Sequence, residues 1–327
     1  MAPSSPDGAA FAASADAQGA CLLFSALPPE IRKMVYVEFW RLSGLRQHVL
    51  AREPSGELYH SPCITDQEAR DTRYEEFLET SGVGQDMGVR GRRLNTDWNI
   101  HWACEELENP SLVQPFQTNP PQVPWSSFLP ALLTCKRMYL ECIESIFDSI
   151  TFVFIDQVVA RTFLRLWSPH AVRSVEICLA ATNFLTELYF PSPQGPPSQL
   201  ANGPPVTVDN NPWLHLCQAL ASQTRLRRLH VWFDSRDLRP WHSRVVETRL
   251  FAALGRARAD DFVLLLPELV AGDRLALPPG SYLEGEALEA APFEVRRGPR
   301  MNNWRVHLSR VGQFIEYIAG RQDNEPS

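Results

Sequence analysis

Two stretches, "RTFLRLWSPHAVRSVEICLA" at residues 161–180 and "CQALASQTRLRRLHVWFD" at 217–234, decide how this chain folds. Each reads as a helix, a short turn and a strand. Laid over one another, they match Val172 with Leu226, Arg173 with Arg227, Val175 with Leu229, Ile177 with Val231 and Leu179 with Phe233. Residues 175, 177 and 179 share one face and the polar residues the other, the period of two that a strand with a buried face requires. "RLFAALGRARADDFVLLLP" at 249–267 is a third, degenerate copy. Helices alternating with strands predict α/β units and a mostly parallel sheet. The copies are unequally spaced, with a Pro-rich insert at 191–212, so the array is irregular and leucine-rich-repeat-like rather than a regular solenoid. A last strand at "FEVRR" and a helix from Leu308 to Ala319 complete it.

Upstream the chain has a different character. "LFSALPPEIRKMVYVEFW", residues 23–40, opens a helix: Ser25 can cap it, Pro28 and Pro29 suit its first turn, and Glu30 suits the positive end of its dipole. Leu27, Ile31, Met34, Val35, Phe39 and Leu42 make one apolar stripe at spacings of three and four, and Gly44 ends the helix. Tyr36, Val37 and Trp40 lie off that stripe, which leaves more than half the circumference apolar. That second face calls for a cover, from a partner or from the chain itself. "RQHVLAR" and "GELYHSPC" then read as a hairpin turning at residues 54–56. Residues 65–124 are polar and weakly periodic and read as a long insert, with "SGVGQDMGVRGRR" a flexible loop and "NPSLVQPFQTNPPQVP" an extended linker. A second strong helix at 127–147 follows, capped by Ser126 or Ser127, with Phe128, Leu132, Cys135, Tyr139, Cys142 and Ile146 as its core positions; it runs into the strand "ITFVF".

Composition narrows the function. A net charge of −7 argues against wholesale binding to nucleic acid or anionic membranes. The Arg225, Arg227, Arg228 and Arg296, Arg297, Arg300 clusters read as solvated faces. The first twenty residues lack a basic leader, no apolar run is long enough to span a bilayer, and seven cysteines scattered through apolar patterns suit buried free thiols. An intracellular protein, cytoplasmic or nuclear, is the expectation.

No catalytic motif emerges. "GVGQDMG" has one residue too many for a dinucleotide loop, follows no strand and opens no helix. His60-x-x-Cys63 and His101-x-x-Cys104 could in principle supply four tetrahedral zinc ligands. Paired CxxC hooks are absent, however, so these four read as ordinary loop and strand residues, and neither metal nor cofactor is expected. Trp241 and Trp304 are the tryptophans best placed in loops for a ligand contact.

Residues 23–40 resemble the first helix of F-box-type domains: Leu27, Pro28, Glu30, Ile31 and Val35 match its Leu-Pro-x-Glu-hydrophobic pattern. A second block, in which Leu133, Thr134, Cys135, Lys136, Tyr139, Glu141, Thr151 and Phe152 fit, makes the pair resemble a large fungal F-box-like family of uncharacterised proteins. Lys136 stands where that family usually has Arg, and the hairpin and insert separate the first helix from the rest of an ordinary F-box. The resemblance spans roughly residues 22–180. It implies a non-enzymatic adaptor that docks a cullin-type ubiquitin ligase through Leu27, Pro28, Ile31, Tyr36, Val37 and Trp40. The alternatives are a single integrated scaffolding domain with no ligase partner, and an enzyme of unrecognised type. The expected organisation is a disordered tail at 1–21, the F-box-like part at 22–180, the α/β array at 181–320 and a second tail at 321–327.

Overall fold

In the computed structural model, the repeat in the sequence is a hydrogen-bond register. Val175 lies opposite Leu229, Ile177 opposite Val231 and Leu179 opposite Phe233, on adjacent parallel strands. The structure describes residues 6–66, 72–73, 75–76, 85–94, 96–113, 128–167, 169–181, 211–235, 245–269 and 280–298. In chain order its main elements are α1 (Pro6–Ala13), α2 (Pro29–Leu42), β1 (Arg46–Arg52), β2 (Glu57–Pro62), α3 (Gln85–Leu94), α4 (Trp102–Glu108), α5 (Lys136–Ser149), β3 (Thr151–Phe154), α6 (Gln157–Leu166), β4 (Ser174–Ala181), α7 (Pro212–Ser222), β5 (Arg228–Ser235), β6 (Asp261–Pro267) and β7 (Glu294–Gly298).

The strands form one seven-stranded sheet in the order β2-β1-β3-β4-β5-β6-β7. Only the β1–β2 hairpin is antiparallel, turning at Gly56 with φ +69°. β3 lies beside β1, and each strand after β3 lies beside its predecessor in the chain. Phe152, Phe154, Val175, Ile177, Leu179, Leu229, Val231, Phe233 and Leu264 share one core with Phe163 and Leu164 of α6 and with Trp213, Leu216 and Leu220 of α7. Asp156 starts α6 by accepting the amides of Val158 and Val159, and Asn211 does the same for α7 at Trp213 and Leu214. The sheet is unbroken across residue 180. The division expected there falls at the end of β4, which pairs with β5 along its whole length.

Several local expectations are revised. Residues of the N-terminal tail form α1, docked on α5: the Phe11 ring meets Tyr139 edge to face at 5.7 Å, Lys136 Nζ donates to Ser14 Oγ at 2.7 Å, and Arg137 donates to the carbonyl of Ala17. Ser25 does not cap α2. It belongs to a separate turn, Leu22–Ser25, and Pro28 stands at the start of α2 with no side-chain cap. The second helix breaks after Leu129–Leu132 and restarts with Cys135 as its cap, its sulfur accepting from the Met138 amide at 3.3 Å.

The insert is more ordered than its weak periodicity suggests. Part of the expected flexible loop is α3, bound to α4 by Arg92 with Glu105 (3.0 Å) and by Arg93 with Glu106 (2.7 Å). Its structure comes from ion pairs between two polar helices, which hydrophobic periodicity does not register. Ser126, Ser127, the Leu308–Ala319 helix, all but the end of the 191–212 insert, Trp241 and Trp304 lie outside the described residues.

Candidate functional site

On α2 the two apolar faces have exchanged roles. Arg32, Tyr36 and Trp40, one helical turn apart, face inward and are buried. Arg32 enters the interior because Glu141 of α5 meets it with two bonds, at 2.7 and 2.8 Å, and Tyr36 Oη donates to the same carboxylate at 3.0 Å. Trp40 Nε1 donates to Ser145 Oγ at 3.0 Å, and its ring packs edge to face on Phe128. Lys33 and Asp148 add an outer ion pair between the same helices.

The expected core stripe is consequently the solvent face. Ile31, Val35 and Phe39 are exposed, Met34 is 64% exposed and Leu42 is 88% exposed. Of the six expected contact residues, Pro28 and Ile31 are exposed, Leu27 and Val37 are half-buried, and Tyr36 and Trp40 are covered by the chain's own α5 and Phe128. The assignment of Tyr36 and Trp40 to a partner surface is corrected on that ground. The spacing alone could not choose between two apolar faces. Pairing a buried arginine with a glutamate more than a hundred residues away did.

A second constellation lies under the other face of the sheet. Residues of β1 alternate, so Gln47 and Val49 point to the helices while Arg46 and His48 point away. His48 pairs with Ser61, which places it on the same side as Cys63, whose amide donates to the Arg46 carbonyl at 2.9 Å. His60, three positions before Cys63 on an extended strand, necessarily faces the opposite way. Its Nδ1 contacts Gln47 Oε1 at 2.9 Å and its ring stacks on Phe128. The three-residue spacing that joins His101 to Cys104 works because those two lie in a 3-10 turn (Asn99–His101) running into α4.

His48, Cys63, His101 and Cys104 thus converge, with one donor atom from each lying within 4.8 Å of the others. Cys63 Sγ is 3.4 Å from His101 Nδ1 and 3.9 Å from Cys104 Sγ. The Ile64 amide and the Thr65 hydroxyl approach Cys104 Sγ at 3.3 and 3.2 Å. On the far side, His101 Nε2 meets Glu176 Oε1 at 3.1 Å, and Arg46 clamps Glu176 through both its oxygens. Contact with Glu176 assigns the Nε2 proton to His101 and turns Nδ1 toward the sulfurs. Neither ring nitrogen of buried His48 makes a hydrogen bond.

The electrostatics follow from this packing. Burial raises the Glu176 carboxyl, but His101 and Arg46 outweigh it and bring the pKa down to about 2. Burial also opposes charge on His101, yet its contacts with Cys104, Cys178, Cys63 and Glu176 hold it well above the ordinary imidazole value. The contact between the two sulfurs splits them: Cys104 lies below the usual thiol range and Cys63 above it. Cys104 and His101 are both shut off from solvent.

The sequence pairs His60 with Cys63. The strand register puts His48 there instead, because its place beside Cys63 depends on how β1 pairs with β2.

A family model described as a domain of unknown function (DUF7730) matches residues 16–275. No curated protein and no solved structure matches the chain. Among the described residues, no helix is long and apolar enough to cross a membrane.

Proposed function

For a chain that belongs to the DUF7730 family, a domain of unknown function, we propose a non-enzymatic role as a protein-interaction module. The observation that carries this reading is the exposed stripe of Ile31, Met34, Val35, Phe39 and Leu42 on α2. A helix already anchored on one side by Arg32, Tyr36 and Trp40 keeps a second apolar face in water, the mark of a helix that meets another protein. The resemblance to F-box-like proteins names the partner class, the adaptor subunit of a cullin-type ubiquitin ligase. Leu27, Pro28 and Ile31 would contribute to the same surface, while Tyr36 and Trp40 would support it from within. The rigid sheet behind α2 would then display its outer surfaces to whatever the module recruits.

The test uses the full chain carrying Met34→Glu and Leu42→Glu together. Both residues are exposed, so the thermal midpoint should stay within about 2 °C of the parent, as surface changes do. Recovery of the purified adaptor in a pull-down should fall at least about tenfold, the equivalent of about 1.4 kcal/mol. Undiminished recovery by the double variant would remove the stripe from consideration. If the unmutated chain recovers no adaptor, the integrated scaffolding domain becomes the better reading; its support is the single core that runs from α2 through the sheet.

A further inference from the structure

We propose that His48, Cys63, His101 and Cys104 form a closed, four-coordinate zinc site that fastens residues 96–108 to the sheet. Nothing in the docking role above requires it; the inference stands on geometry alone. With Zn–S near ~2.3 Å and Zn–N near ~2.0–2.1 Å, a tetrahedral ion holds two sulfurs about 3.8 Å apart and a sulfur and a nitrogen about 3.6 Å apart. The corresponding separations here are 3.9 Å between the Cys63 and Cys104 sulfurs and 3.4 Å between Cys63 Sγ and His101 Nδ1. Two thiolates and two imidazoles select zinc over the hard cations, which take oxygen ligands.

Three further features fit a metal. His48 is fully buried with both ring nitrogens unanswered, a costly arrangement that coordination would relieve at one of them. His101 presents Nδ1 to the sulfurs and backs its other nitrogen onto Glu176, the carboxylate–histidine pairing that orients metal-bound imidazoles. The Ile64 amide and Thr65 hydroxyl point at Cys104 Sγ, as donors that steady a coordinated thiolate do.

The charges also close. Two thiolates neutralise the dication and Arg46 neutralises Glu176, so the buried assembly carries no net charge. Four metal–ligand bonds form, and binding releases one proton from each cysteine still protonated and one from Nδ1 of His101 where that imidazole is charged. The ligands come from both ends of a long loop, His48 and Cys63 on the hairpin and His101 and Cys104 on the insert. The ion would therefore staple the polar insert where little hydrophobic surface does so.

The experiment is elemental analysis of the full chain purified without chelator, followed by cobalt(II) substitution. One zinc per chain is expected, and the cobalt form should show thiolate-to-metal charge transfer with the ligand-field bands of a tetrahedral centre. His48→Ala and Cys104→Ser should lose the metal. His60→Ala should keep it, which separates this ligand set from the one suggested by sequence spacing. Glu176→Gln should weaken zinc in a chelator competition by about 10–100-fold. The site is refuted by an unmutated chain that carries no zinc and takes up no cobalt, by full occupancy in both His48→Ala and Cys104→Ser, or by a Cys63–Cys104 disulfide in the native protein. Should Cys104→Ser fail to fold, the cobalt spectrum of the unmutated chain still decides the matter.

Discussion

Phe39 and Trp40 stand side by side on α2 with ring centroids 5.1 Å apart, yet one is 38% exposed and the other fully buried. The difference is a matter of one helical step of 100° relative to α5 and Phe128. Trp40 also carries a buried polar atom, and its Nε1 donates to Ser145 Oγ at 3.0 Å. Truncating Trp40 to Ala should cost about 3–5 kcal/mol, through lost transfer energy, the cavity left behind and an orphaned Ser145. Phe39→Ala should cost less than about 1 kcal/mol, because most of what it removes already faces water. Urea titrations of the two variants measure the contrast. Equal losses, or a larger loss at Phe39, would mean that α2 packs by its other face.

At the scale of elements, α2 and α5 are joined as much by charge as by apolar contact. Burial tends to raise the Glu141 and Asp148 carboxyls, but Arg32, Tyr36 and Arg137 around the first, and Lys33 and Arg173 around the second, hold both below the ordinary carboxylate range. A carboxylate whose folded pKa is depressed binds fewer protons folded than unfolded at acid pH. Its stabilisation is therefore complete above the unfolded pKa, about 4, and is lost as pH falls through the lower folded value. The contribution of these two carboxylates to the thermal midpoint should be constant from neutrality to about pH 5 and fall below it. Glu141→Gln should lower the plateau and make the acid limb shallower; an unchanged limb would show that the α2–α5 pair contributes nothing to it.

These pairs also explain how far the sequence could be read. The strands of the array were legible because period-two alternation and the internal repeat act locally. The same match of Val175 with Leu229 that aligned the two copies reappears as the β4–β5 ladder. The inward face of α2, the order of the insert and His48 as a member of the histidine–cysteine cluster were not legible. Each depends on a partner distant in sequence: Glu141 for Arg32, Glu106 for Arg93, and the β1–β2 register for His48.

For the whole molecule, the unbroken sheet bears directly on whether residues 22–180 form a unit of their own. Val175 and Ile177 on β4 are fully buried, with β5 on one side and α6 and α7 above. A chain ending at Ala181 would expose that ladder as an unpaired edge and would remove α7, which packs against α6 over their shared core. Stripping the neighbours from a strand of eight residues forfeits several side chains' worth of burial, each about 1.5–3 kcal/mol, against a total stability of only about 5–15 kcal/mol. The truncated chain should therefore show no cooperative thermal transition and should aggregate, while the full chain melts in one step monitored alike by far-ultraviolet circular dichroism and by tryptophan fluorescence. A cooperative, monomeric melt of the truncated chain would reverse this conclusion. It would make residues 22–180 a domain in their own right, with the later strands added to an already stable edge.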